Sequence, residues 1–174
     1  MQELEIESIR VRQETQQRAV VLRVKDSNLF LPIFVGHFEV EAIRLKLMDI
    51  EVQRPMTHDL LDSVIYNLGA TVDKIIVSEL KEDTFYAKII VNYDSRTFEI
   101  DARPSDAIAL AVRSGASIFA EESVLEKAGV NIEEKDLDQA TDDDISMLDD
   151  EVVNLSAFSD FIDSLDLEDL GESR

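Results

Sequence analysis

The sequence predicts an α+β fold: duplicated βββαα-like units whose mixed or antiparallel sheet is covered by helices, with an acidic helical C-terminal tail. Three observations carry this. Short runs alternate apolar and polar residues and end in turn residues. Longer runs switch to helical spacing. That order occurs twice before the composition changes near residue 136. With 174 residues and 45% apolar content, the chain can build one self-sufficient core. The expected organisation is an α+β domain over 1–135 and an acidic amphipathic tail over 136–174.

Residues 2–12 read as a strand with a phase slip near Ser8, where alternation from Leu4 and Ile6 passes to Ile9 and Val11. Ala19–Val24 is a second strand, Asp26-Ser27-Asn28 a hairpin turn, and Leu29–Val35 a third strand. Pro32 cannot donate to a ladder, so this strand is expected at an edge or a bulge. Gly36 opens a helix of about fourteen residues with Phe38, Val40, Ala42, Ile43, Leu45, Leu47 and Met48 as apolar positions. A second helix is expected with Thr57 as N-cap. Its apolar face is Leu60, Leu61, Val64, Ile65 and Leu68, and Gly69 closes it.

The grammar then restarts. Ala70–Leu80, Phe85–Tyr93 and Arg96–Asp101 read as strands joined at Lys81-Glu82-Asp83 and Asp94-Ser95. Pro104 opens a helix at its first turn, where a missing N–H costs nothing. A short apolar piece, Ser117–Ala120, precedes a last helix over Glu121–Ala128, closed by Gly129. The Asp-Ser turns and the Ala-Ile pairs 42–43 and 107–108 echo each other, as a duplication or as common α+β grammar.

The net charge is −21, unevenly spread. Residues 1–135 carry 16 basic and 24 acidic side chains, whereas 136–174 carry one basic and 14 acidic. Such a balance repels polyanions, so any nucleic-acid contact needs a local basic site. In the tail, Ile145, Leu148, Val152, Leu155, Phe158, Ile162 and Leu165 fall at helical spacing. This stripe is expected to dock on its own domain or on a second subunit, or to act as a detachable competitor of a polyanionic ligand. No cysteine is present, which excludes disulfides, thiol nucleophiles and cysteine metal sites. No apolar run reaches the length of about eighteen residues that a membrane span needs. The N-terminus lacks the basic-then-apolar pattern of a signal peptide, so the expected location is cytoplasmic.

Two segments could carry chemistry. Arg54-Pro55-Met56-Thr57-His58-Asp59 and Asp101-Ala102-Arg103-Pro104-Ser105-Asp106 each place an arginine, a proline, a hydroxyl and a carboxylate at the mouth of a helix. A fixed guanidinium beside free helical N–H groups makes an anion site. A carboxylate in the same turn can hold a metal or act as a base. The stronger reading of each segment is ordinary capping: Thr57 and Asp106 as caps, Arg103 as a partner of Asp101 or Asp106. His58 is the better proton-transfer candidate of the two histidines; His37 reads as a helix-starting residue. Glu39 and Glu41 read as a solvated face partnered by Arg44.

At these segments the chain resembles the bifunctional nuclease (BFN) domain family over about residues 3–130. The resemblance rests on Leu31-Pro32-Ile33 with Gly36 and Glu39, on Arg54 through Leu60, and on the long string from Asp101 to Ala111. It implies a self-associating α+β domain that hydrolyses both DNA and RNA. The residue roles are our own inference. Arg54, Thr57, Arg103 and Ser105 would hold the phosphate. His58, Asp59, Asp101 and Asp106 would be catalytic, with Asp101 and Asp106 holding a divalent cation such as Mg²⁺ or Mn²⁺. The expected partners are nucleic acid through a local site and further copies of the chain, as a homodimer or higher homo-oligomer, with no membrane. The other function consistent with the sequence is a non-catalytic oligomeric binding or scaffold protein with a small-anion site.

Overall fold

A computed structural model describes residues 1–11 and 17–131. The tail, its apolar stripe and the expected boundary at 135 lie outside the described residues. The element order is β1 (Gln2–Val11), β2 (Arg18–Val24), β3 (Leu29–Val35), α1 (His37–Leu47), α2 (Thr57–Asn67), β4 (Thr71–Lys81), β5 (Thr84–Tyr93), β6 (Arg96–Ala102), α3 (Pro104–Ser114), β7 (Ser117–Ala120), α4 (Glu122–Ala128) and β8 (Val130–Asn131). The fold is α+β, as the sequence predicts, with a mixed sheet of eight strands in the order β6-β5-β4-β7-β1-β2-β3-β8.

Two antiparallel meanders, β1-β2-β3 and β4-β5-β6, form the two halves of the sheet. Their tight hairpins follow from local chemistry. Glu82 and Asp83 take φ of 48° and 57°, and Asp94 and Ser95 take 47° and 60°. Positive φ at both loop residues matches the right-handed twist of the flanking strands. The phase slip read at Ser8 is a register shift of β1 against β2 between Ile6 and Ser8. Pro32 faces Val21 on β2, and among the described residues β3 is covered on its other side only at Leu29 and Phe30, so Pro32 sits on an open edge.

The sequence reading treats Ser117–Ala120 as a short apolar piece. In the fold it is β7, which joins the meanders, antiparallel to β1 and parallel to β4. Four residues carry too little pattern to announce a strand; long-range pairing makes it one. The second half is therefore βββαβα, extended by β8, rather than a plain repeat of βββαα.

The core lies between the sheet and a helical layer centred on α3. Residues Ala107 to Ala111 are all buried, because α3 packs on β4 and β5 and is flanked by α1 and α2. Alternating alanines let these neighbours approach closely, which suits a helix that is apolar all round. Gly69 and Gly115 close α2 and α3 at φ of 80° and 71°.

Four local expectations are corrected. Helix α1 is 11 residues long and stops at Leu47, with Asp49 left-handed at φ 54°. Its Phe38 and Leu47 are exposed, so they are not core positions. Thr57 is the first helical residue of α2 and not its N-cap; Met56 takes that place, and its N–H is accepted by the Asp59 carboxylate at 2.8 Å. Finally, Leu60, Leu61, Val64 and Leu68 on α2 are exposed, and only Ile65 of that face packs on the core. An apolar face read from spacing predicts burial without naming what covers it.

Candidate active site

The N-terminal turns of α2 and α3 meet at one carboxylate, Asp106, and α1 joins them through Glu39 on Arg103. Pro104 starts α3 and Arg103 is its N-cap, so Asp106 projects from the first turn. His58, in the first turn of α2, lies with Nε2 3.1 Å from Asp106 Oδ1. Arg103 donates through Nε to Oδ2 at 2.7 Å and through Nη2 to Oδ1 at 3.1 Å. Its Nη2 also reaches Glu39 Oε1 of α1 at 2.9 Å. Burial pushes the Asp106 carboxyl up, but hydrogen bonds from Arg103 and His58 outweigh it and hold the group below the ordinary carboxylate range. The same bonds, led by that to Asp106, keep the Arg103 guanidinium protonated even more firmly than usual.

The contrast in exposure is functional in form. His58 is buried, whereas the Arg103 side chain is 66% exposed. A fixed imidazole thus sits behind a guanidinium open to solvent. Asp106 can fix the histidine tautomer, with Nε2–H toward the carboxylate and Nδ1 left as an acceptor.

Asp59 stands apart from this cluster although it follows His58 in the chain. Its Oδ1 accepts from Arg113 Nε at 2.6 Å, and its Oδ2 accepts from the Met56 N–H. Burial raises its carboxyl, and the Met56 and Arg113 hydrogen bonds together bring it below the ordinary range. One oxygen joins α2 to α3 and the other caps the start of α2, which is the setting of a structural carboxylate.

The remaining expected residues are dispersed. Asp101 lies on β6 opposite Lys88, exposed, and makes no side-chain hydrogen bond or ion pair among the described residues. Strand alternation explains its absence from the cluster: Ala102 packs on the core, so Asp101 points to the other face of the sheet. Arg54 is exposed in the connection before α2, with no such bond among the described residues. Thr57 is exposed at the start of α2, and Ser105 is buried in the first turn of α3. Among the described residues, no three histidine or acidic side chains converge as a metal site.

Glu39 and Arg113 carry roles that the sequence reading misses. Glu41 does pair with Arg44, at 2.6 Å, but Glu39 turns to Arg103. The signal available was Gly36. A Cβ there would collide with the Glu39 carboxylate, so glycine leaves the space in which that side chain folds back over the helix start. Nothing local marks Arg113, whose links to the other two helices, at Asp59 and Ala42, are 54 and 71 residues away.

The sequence model of the bifunctional nuclease domain matches residues 20–133. An uncharacterized protein of Mycobacterium tuberculosis H37Rv is 37% identical over 169 residues, covering 97% of this chain and 98% of the relative. Bifunctional nuclease 1 of Oryza sativa subsp. indica is 25% identical over 128 residues, 71% of this chain and 39% of the plant protein. Bifunctional nuclease 1 of Arabidopsis thaliana is 27% identical over 99 residues, 55% of this chain and 30% of that protein. This chain therefore spans well under half the length of these plant relatives.

Proposed function

The chain belongs to the bifunctional nuclease domain family, and from that premise we propose that it hydrolyses phosphodiester bonds in DNA and RNA at the Asp106 cluster. The observation that carries the reading is the 3.1 Å contact of His58 Nε2 with Asp106, on the same carboxylate that Arg103 grips. Asp106 orients the imidazole, and His58 Nδ1 takes a proton from the attacking water. Arg103 presents Nη1, which has no described partner, to the phosphate. Thr57 and Arg54, at the exposed mouth of α2, supply flanking anion contacts. Ser105 supports the α3 turn from beneath, and Asp59 positions α2.

A divalent cation, Mg²⁺ or Mn²⁺, would have Asp106 as its carboxylate at the cluster, because Asp101 points to the other face of the sheet. Both Asp106 oxygens are engaged by Arg103 and His58, so an ion there has to compete with the guanidinium. Metal and chelator titration of cleavage measures that competition.

The test compares wild type with His58→Gln and Asp106→Asn on single-stranded DNA, duplex DNA and RNA, with melting followed on the same samples. Activity should fall about a hundredfold in each variant, the scale of a lost acid–base group. Wild-type rates in folded variants would overturn the assignment.

A non-catalytic oligomeric binding protein is the second reading. It is favoured by the exposed Leu60, Leu61, Val64 and Leu68 of α2, a face suited to a second subunit. Under that reading, Arg103 binds a small anion and no variant changes hydrolysis.

A further inference from the structure

We propose that Glu39, seated in the space that Gly36 leaves, is a specificity-determining residue: it makes the Asp106 site select a phosphodiester monoanion over a phosphomonoester dianion. The proposal rests on the phosphodiester reading above and adds the residue that turns terminal phosphates away.

The first argument is the occupancy of the Arg103 fork. Asp106 takes the Nε and Nη2 side, at 2.7 and 3.1 Å. Glu39 Oε1 lies against Nη2 at 2.9 Å. A bidentate grip on an anion needs two neighbouring guanidinium nitrogens, Nε with Nη2 or Nη1 with Nη2. Both pairs include Nη2, which two carboxylates already contact. An incoming phosphate is left with Nη1, a one-point contact. A phosphodiester within a chain has further points of attachment beside it, whereas a terminal phosphate depends on the fork.

Charge gives the second argument. At the cluster one guanidinium faces two carboxylates, Glu39 and Asp106. Electrostatic energy scales with the product of the charges. Each unit of negative charge at the cluster therefore repels a dianion twice as strongly as a monoanion in the same place.

The third argument is that Glu39 is fixed. Its side chain is 18% exposed, beside a guanidinium that is 66% exposed. A Cβ on Gly36 would collide with Glu39 Oε2, so the carboxylate fills the room a larger residue would take. Gly36 has φ −69° and ψ 159°, extended backbone that alanine adopts without strain. Gly36→Ala thus acts on the carboxylate's place and leaves its charge in the chain.

The test titrates the isotope-labelled full chain with dimethyl phosphate, a monoanion, and methyl phosphate, a dianion above its second pKa of about 6. It is run at about pH 8 and followed by NMR shifts of the first turn of α3, with melting measured on the same samples. Wild type should bind the diester more tightly. Glu39→Gln should gain about threefold for dimethyl phosphate and about tenfold for methyl phosphate, since doubling the energy squares the ratio. Gly36→Ala should move the selectivity in the same direction. Glu99→Gln, an equal change of net charge on the exposed partner of Lys88, should alter neither.

Equal gains for the two probes in Glu39→Gln overturn the proposal. So does the same gain in Glu99→Gln, which would make the effect one of bulk charge, or wild-type selectivity in Gly36→Ala. Neither probe is read by cleavage, so hydrolysis fails separately. Wild type that selects the diester through Glu39 but cleaves no nucleic acid overturns hydrolysis and keeps the selection. Wild type that cleaves, with Glu39→Gln shifting both probes equally, overturns the selection and keeps hydrolysis.

Discussion

Arg113 holds Asp59 at 2.6 Å, joining the C-terminal end of α3 to the first turn of α2. The same guanidinium donates to the Ala109 carbonyl oxygen at 2.8 Å and to the Ala42 carbonyl oxygen of α1 at 3.1 Å. Three helices are thereby tied by one side chain that is only 4% exposed. With Asp59 fixed in this way, the adjacent His58 is set on the other side of the turn, toward Asp106.

Arg113→Ala should therefore destabilise the fold by about 2–3 kcal/mol, the scale of lost charge-assisted hydrogen bonds. It leaves the Asp59 carboxylate and the Ala42 carbonyl without their partner. Denaturant midpoints check this. A shift below about 0.5 kcal/mol, the scale of an ordinary surface change, would show that Arg113 does not tie the helices.

Acid should weaken the protein through Asp59 and Asp106. Both carboxyls titrate below their ordinary range in the fold. A group whose folded pKa lies below its unfolded value stabilises the native state above the unfolded value, about 4 for aspartate. That contribution disappears as pH falls through the folded values. Melting temperature should hold from neutrality down to about pH 5 and then decline more steeply in wild type than in Asp106→Asn. Parallel declines in the two proteins would remove Asp106 from the account.

Glu39→Gln should raise affinity for inorganic phosphate and for oligonucleotides. It removes one of the two carboxylates on Arg103 while keeping a side chain that can still accept its hydrogen bond. A gain of several-fold at low salt, shrinking as salt is raised, is the expected titration result. Unchanged or weaker binding would mean that Arg103 does not face the anion.

The exposed apolar face of α2 should be a contact between copies of the chain. Light scattering should give a mass above the 19.7 kDa of one chain. Leu61→Glu with Val64→Glu should reduce it to the monomer. Deletion of residues 140–174 tests the other candidate cover, the stripe from Ile145 to Leu165. A truncated protein with unchanged mass and melting temperature would show that the stripe is not docked. A monomeric wild type would reject the α2 contact.

The sequence by itself determined the six long strands, the four helices and the turns between them. Alternation at period 2, helical spacing, and Gly, Pro and Asp-Ser punctuation are consequences of local backbone geometry, legible within a few residues. It also marked the 54–59 and 101–106 segments, because an Arg-Pro turn before a helix is a local signature. Only the tertiary structure decided who meets whom. It made Ser117–Ala120 the strand joining two meanders, turned His58 toward Asp106 across 48 residues and away from its neighbour Asp59, drew Glu39 from a surface face to Arg103, and sent Asp101 to the far side of the sheet. Neighbours on a helix diverge by about 100° and alternate residues on a strand point oppositely. Proximity in the chain therefore separates side chains as readily as it gathers them, and the cluster at Asp106 exists because packing on α3 brings three helix starts to one point.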